Sequence, residues 1–186
     1  MGLDDGSLFA RARTGDAEAL TCLVDRHKDA LVNYVTRLSG SRDTAEDVAQ
    51  DTFLRLLERS ASYVEQGMLR PYLYRIATNL VRTGQRREQR WRLLTPRLKA
   101  SNNGHAEASQ IASIERQQLG ALLARSLESV PLRFRTPLVL RDVEDWSYAE
   151  IATLLECKVG TVKSRIHRGR EMLRKIVAPQ WNGVGS

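Results

Sequence analysis

The chain has 186 residues, of which 42% are hydrophobic, 27% charged and only 6% aromatic, and its formal net charge is +7. That length suits one ordinary domain or two small ones, and the balance is that of a soluble globular protein. With so few aromatics the core must come from Leu, Ile, Val and Ala, which favours helices over an all-β sandwich. The basic excess points to a polyanionic partner, nucleic acid or an anionic membrane surface, or else to a solvated basic surface with no partner. No apolar run is long enough to span a bilayer, so no membrane insertion is expected. The opening Met1-Gly-Leu-Asp-Asp is acidic where a signal peptide is basic and then apolar. Cys22 and Cys157 stand far apart with no CxxC between them, which suits a reducing cytoplasm.

Five prolines punctuate the chain and leave long windows for helices. The first window runs from about Ser7 to Leu38, is broken near Gly15-Asp16 and ends at Ser39-Gly40-Ser41. The next, Asp43 to Arg59, repeats apolar residues at i, i+3, i+4 and i+7: Ala45, Val48, Ala49, Thr52, Phe53 and Leu56 form the inward stripe. Its opposite face carries Asp47, Gln50, Asp51, Leu54 and Glu58, an acidic surface with one apolar knob. After a loop over about 60–69, a helix starts at Pro71, a residue favoured in a first turn because its missing N–H has no partner there. That helix opens on Tyr72 and Tyr74 and closes near Arg90 on Arg82, Arg86, Arg87 and Arg90.

Residues 92–113 lose periodicity, and Ala100-Ser-Asn-Asn-Gly-His-Ala reads as a flexible linker, the alternative being a long surface loop within one domain. The spacing then predicts helices over Ile114–Val130, with Leu119, Leu122, Leu123 and Leu127, and from Pro131 to about Val143. The fold class is therefore all-α: two small helical domains, 1–91 and 114–178, joined by the linker 92–113 and followed by a tail, 179–186.

Charge is concentrated rather than spread. Seven basic residues lie between Arg82 and Lys99 against the single Glu88, and seven more between Lys158 and Lys175 against the single Glu171. The second run sits on a helix-turn-helix pattern. Ser147-Tyr-Ala-Glu150 is a capping box, in which the Ser oxygen accepts an N–H and the Glu reaches back. The helix it opens should bury Tyr148, Ile151, Ala152 and Leu155, with the turn at Cys157-Lys158. In the next helix Val159, Val162, Ile166, Gly169 and Leu173 share one side. Gly160, Ser164, His167, Arg168 and Glu171 share the other, flanked by Lys163 and Arg165. Hydrogen-bonding side chains in the middle and cations at the edges are what a DNA-reading helix presents. A helical hairpin with a solvated basic face has the same pattern. His167 has no second His or Cys at ligand spacing, so neither a metal nor any other cofactor is expected.

Trp146-Ser-Tyr-Ala-Glu-Ile-Ala-Thr-Leu-Leu followed by Val159-Gly-Thr-Val-Lys-Ser-Arg-Ile-His-Arg-Gly-Arg resembles region four of the extracytoplasmic-function (ECF) sigma factors of bacterial RNA polymerase. Asp43-Thr-Ala-Glu-Asp-Val-Ala-Gln-Asp-Thr-Phe-Leu-Arg-Leu-Leu resembles the core-binding helix of region two. Leu73-Tyr-Arg-Ile-Ala-Thr-Asn-Leu with the arginines after it resembles the helix that melts and reads the −10 element. The resemblance implies a non-enzymatic initiation factor whose partners are core RNA polymerase (clamp coiled coil and flap), promoter DNA and an anti-sigma protein. Asp47, Gln50, Asp51 and Leu54 would dock on the polymerase. A loop over about 62–70, with Met68, would capture a flipped base of the −10 element. Asn79, Thr83, Arg86 and Arg87 would contact the −10 DNA. Tyr72, where the family usually has Trp, is open to two readings: stacking on an unpaired base or packing at the helix start. At the −35 element Ser164, His167 and Arg168 would touch bases, with Lys163 and Arg165 on phosphates. The Arg42-Asp-Thr-Ala-Glu-Asp run is similar to an iron-uptake subgroup. An enzyme is disfavoured, because no phosphate loop, paired catalytic carboxylates or metal cluster is present in the sequence. The competing class is a two-domain helix-turn-helix regulator acting at an operator, for which the aromatic-led basic helix from Pro71 has no evident use.

Overall fold

A computed structural model describes residues 3–58, 69–94 and 111–181. Among these residues all regular structure is helical: α1 (Asp5–Arg13), α2 (Ala17–Ser39), α3 (Arg42–Glu58), α4 (Leu69–Leu94), α5 (Ile111–Glu128), α6 (Leu132–Asp142), α7 (Tyr148–Leu154) and α8 (Val159–Trp181). The chain divides into two compact units, Met1–Arg82 with Thr153–Glu156, and Thr83–Ala152 with Cys157–Ser186. No helix of the described residues is long and apolar enough to cross a membrane.

In the first unit α1 packs on α2 and α2 on α3. The break between α1 and α2 falls where the sequence places it. Asp16 caps α2 by accepting the Ala19 N–H at 3.0 Å and takes Arg11 Nε at 2.8 Å. Asp4 caps α1 in the same way through the Ser7 N–H at 2.9 Å. The Ser7 N–H, helped by the Ser7 hydroxyl, holds the Asp4 carboxyl below its ordinary pKa; the Ala19 N–H, helped by Arg11, does the same for Asp16. A carboxyl whose folded pKa is depressed stabilises the fold above its unfolded value and ceases to do so as pH falls through the folded one. Both caps are therefore expected to weaken in acid, which amide-proton protection at Ser7 and Ala19 would report. Gly40 ends α2 at φ 78°, a left-handed cap that costs glycine nothing, and its N–H closes on the Thr36 carbonyl at 2.8 Å.

The core of this unit is Leu23, Leu31, Val35, Leu38, Ala45, Ala49, Leu56, Leu73 and Ala77, with Phe9 beneath α1. One buried polar contact sets α4 against α2. Tyr34 and Tyr74 lie 4.6 Å apart between ring centroids, and the Tyr34 hydroxyl meets Thr78 Oγ1 at 2.7 Å. Thr78 spends its own proton on the Tyr74 carbonyl, also at 2.7 Å, so Tyr34 is the donor. Removing that donor leaves Thr78 Oγ1 short of a partner in a site closed to water. Tyr34→Phe is expected to lower stability by about 1 kcal/mol, measured by denaturant titration.

Helix α4 starts at Leu69, two residues before Pro71, and runs to Leu94, four residues beyond the expected end. Helix α5 begins at Ile111 rather than Ile114. The expected linker 92–113 is therefore helical at both ends, and 95–110 lies outside the described residues.

In the second unit α6 and α5 pack on α8. Val130, Phe134, Leu138, Leu140, Trp146, Ile151, Val162 and Ile166 are buried. Arg135, only 5% exposed, donates Nε to the Val130 carbonyl at 3.0 Å and a terminal nitrogen to the Glu128 carbonyl, capping the end of α5. Burial lowers its pKa, and the Glu128 charge opposes that shift. Gly169 is where α8 crosses α6. A Cβ there would sit 3.2 Å from the Phe134 carbonyl oxygen and 3.5 Å from Leu138 Cδ2. Backbone cannot yield as a flexible side chain does, so Gly169→Val is expected to cost roughly 2 kcal/mol, read from a shifted unfolding midpoint.

Candidate nucleic-acid interface

The capping box forms as its sequence requires. The Ser147 N–H donates to Glu150 Oε2 at 2.7 Å, and the Glu150 N–H donates to Ser147 Oγ at 3.2 Å. These bonds start α7 at Tyr148, and Ile151 and Ala152 turn inward. Several details differ from expectation, and Tyr148 and Leu173, expected on the inner side, are half-buried. Leu154 is buried and Leu155 only half-buried, because the helix ends at Leu154 and the next residue already leaves the apolar face. The reversal runs over 155–158, so it includes the expected Cys157-Lys158 and starts two residues earlier, with Glu156 in the left-handed region at φ 52°. Val159 is 40% exposed, since it opens α8 ahead of the buried contacts that begin at Val162.

The outer face of α8 is as the spacing predicts. Gly160, Lys163, Ser164, His167, Arg168 and Glu171 are exposed, and Arg165 is half-buried. Each named side chain has a distinct environment. Ser164 Oγ donates to the Thr161 carbonyl at 3.0 Å, which leaves its lone pairs facing out. Lys163 Nζ lies 5.6 Å from the Tyr148 ring centroid, so the ring holds the cation at the edge of the helix. Arg165 reaches back to within 4.0 Å of Cys157 Sγ. His167 Nε2 is 3.7 Å from Glu171 Oε1. Arg168 is paired with no acid among the described residues. Together these form one polar, cationic surface two turns long.

Sequence periodicity missed the residues behind that surface. Arg141 lies 5.4 Å from the Tyr148 centroid and donates to the Trp146 carbonyl at 2.8 Å. Arg170 clamps Asp142 with two bonds, at 2.9 and 2.5 Å, tying α8 to the end of α6 and raising the Arg170 pKa. Both fix the approach to α7, and both lie outside the spacing rule because their partners are 5 and 28 residues away.

On α4, Asn79, Thr83, Arg86 and Arg87 are exposed and Tyr72 is half-buried, an environment compatible with either reading of its ring. Met68 lies outside the described residues. On α3, Asp47, Gln50, Asp51 and Leu54 are exposed on one face, Leu54 to 59%, while Ala45, Ala49, Thr52, Phe53 and Leu56 are buried on the other. Val48 is half-buried. Asp47 and Asp51 form no ion pair among the described residues.

Residues 23–92 match the family model for Sigma-70 region 2, and residues 121–173 match that for Sigma-70, region 4. An ECF RNA polymerase sigma factor, SigW of Bacillus subtilis, is 33% identical over 89% of this chain and 92% of its own length. The chain belongs to the ECF sigma factors. SigE of Mycolicibacterium smegmatis is 38% identical over 89% of the chain, which spans 65% of that protein's length. The ECF sigma-E factor of Escherichia coli is 32% identical over 95% of the chain and 96% of its own length. The fold is that of two solved structures. Bartonella quintana RpoE, solved with the anti-sigma factor NepR, has a TM-score of 0.70 at 23% identity, over 83% of this chain and 94% of that one. CnrH, solved with the cytosolic domain of CnrY, has a TM-score of 0.66 at 24% identity, over 94% of this chain and 97% of that one.

Family membership decides between the two classes left open by the sequence. An operator-binding regulator shares the helix-turn-helix but has no use for a sigma region 2 ahead of it, and this sigma factor carries both regions in order.

Proposed function

We propose that this chain binds core RNA polymerase through the exposed face of α3 and directs it to promoters by reading two DNA elements with two separate surfaces. The observation that carries the reading is the pairing of an acidic face holding an exposed leucine on α3 with a polar, cationic face on α8. Asp47, Gln50, Asp51 and Leu54 suit a basic partner helix, the clamp coiled coil of the polymerase. Ser164, His167 and Arg168 touch base edges of the −35 element, with Lys163 and Arg165 on the flanking phosphates. Asn79 and Thr83, one turn apart on α4, contact the −10 element, Arg86 and Arg87 hold its backbone, and Met68 and Tyr72 belong to the same site. The chain performs no catalysis of its own. It acts in the cytoplasm, and the polymerase flap and an anti-sigma protein complete its partners. Residues 1–91 and 114–178 are the two working domains. Placement in an iron-uptake subgroup rests on the Arg42–Asp47 run alone.

The test is run-off transcription on sheared genomic DNA with purified core polymerase, with and without the chain. Discrete start sites that need the chain are the expected result, and alignment of the sites yields both elements. DNA binding without any start site would return the protein to the operator-regulator class.

A further inference from the structure

Helix α8 carries two glycines, and the fold explains only one of them. Gly169 is needed where α8 crosses α6, because a Cβ there would meet the Phe134 carbonyl oxygen at 3.2 Å. At Gly160, in the first turn of α8, a Cβ would meet nothing within 4 Å. The residue is exposed, and it is not one of the glycines with a positive φ, which are Gly15 and Gly40. Neither packing nor backbone conformation therefore calls for glycine, while a helix loses stability by carrying one in place of alanine. The remaining physical use of a missing side chain is to let something outside the fold come close to the backbone.

Open space alone does not point to a ligand, since Gly84 and Gly120 have it too. Position does. At about 100° per residue, Gly160 lies about 40° from Ser164 and about 20° from His167, in the middle of the outer face rather than on its flanks. Along that face the exposed side chains lengthen in order, from none at Gly160 through Ser164 and His167 to Arg168. A straight helix with such a taper fits a surface only when its N-terminal end lies nearest to it. A Cβ stands about 1.5 Å from its Cα, so at that end its absence governs how near the backbone comes. A protein partner is not favoured, because Ser164, His167 and Arg168 in the same sector present the polar and cationic groups that suit DNA.

We propose that Gly160 is the point of closest approach between α8 and the −35 element, where the helix backbone itself lies in van der Waals contact with the DNA. The contact rests on the reading of α8 as the −35 surface and adds a steric requirement to it. Position 160 admits the DNA because it carries no side chain. Gly160 supplies neither charge nor a side-chain hydrogen bond. It sets how deeply Ser164, His167 and Arg168 reach, and is a positioning residue for them.

The full chain with Gly160→Ala or Gly160→Leu would be compared with wild type, both free and in holoenzyme, on two promoter probes. One carries the −35 element as duplex; the other stops between the two elements. Alanine is expected to raise the unfolding midpoint of the free chain by about 2 °C. On the first probe it should bind about fivefold more weakly, and leucine about a hundredfold, as a growing steric overlap requires. Polymerase binding and binding to the truncated probe should stay at the wild-type level. A gain in stability joined to a loss of −35 binding is the opposite of what a glycine kept for the fold would show. A lowered midpoint for the alanine variant, equal losses on both probes, or full −35 binding by both variants would each overturn the contact. A wild-type holoenzyme that binds both probes equally well would overturn the −35 reading of α8 itself. Wild-type preference for the first probe with unaffected variants would overturn only the role of Gly160.

Discussion

Replacing Asp51 and Leu54 together with alanine is expected to abolish stable binding to core RNA polymerase while leaving the chain folded. Both side chains point away from the inner stripe of α3, and Leu54 is 59% exposed, so neither contributes much to the fold. Their proposed value lies in docking. Burying one leucine against a partner is worth about 1.5–3 kcal/mol. A carboxylate meeting a cationic partner adds about 1.5–3 kcal/mol through a charge-assisted hydrogen bond. Together these come to about 3–6 kcal/mol, a loss of about a hundredfold or more in affinity. Titration of labelled holoenzyme would read the loss, and the unfolding midpoint would show that the variant is intact. Unchanged polymerase binding would mean that the acidic face of α3 is only solvated surface. The single variants divide the effect: Asp51→Ala should lose its share at low salt and little at high salt, whereas Leu54→Ala should be indifferent to salt.

The sequence made some of this arrangement readable and hid the rest for definable reasons. Period alone located the inner stripe of α3, since five of its six residues are buried and the acids fall opposite. The capping box predicted the start of α7 because its two hydrogen bonds are local, spanning three residues. Local rules fail where a helix ends against something distant. Nothing near Leu154 says that α7 stops there, so the stripe was carried one residue too far, to Leu155. The same limit concealed the Tyr34–Thr78 hydroxyl pair, which joins residues 44 apart, and the Arg170–Asp142 clamp, which joins residues 28 apart. Arg135 is the clearest case. A basic residue in a helix with an apolar stripe reads as surface, yet it is buried because the carbonyls ending α5 need donors.

Arg168→Ala should weaken promoter recognition tenfold to a hundredfold, about 1–3 kcal/mol, without touching polymerase binding. Arg168 is exposed on the outer face of α8, one turn beyond Ser164, and pairs with no acid among the described residues. Its guanidinium is therefore able to meet DNA without first giving up a partner. This separates it from Arg170, whose two bonds to Asp142 would have to break before it could do the same work. The form of the loss tells which part of the DNA Arg168 touches. If it reads a base edge, the variant loses discrimination at one position of the −35 element and keeps the wild-type salt slope. If it sits on a phosphate, binding falls equally on every −35 variant and the slope drops by about 1. Competition among probes differing at single −35 positions, repeated at two salt concentrations, distinguishes the two. Loss of polymerase binding along with promoter binding would contradict the division of labour proposed for α3 and α8.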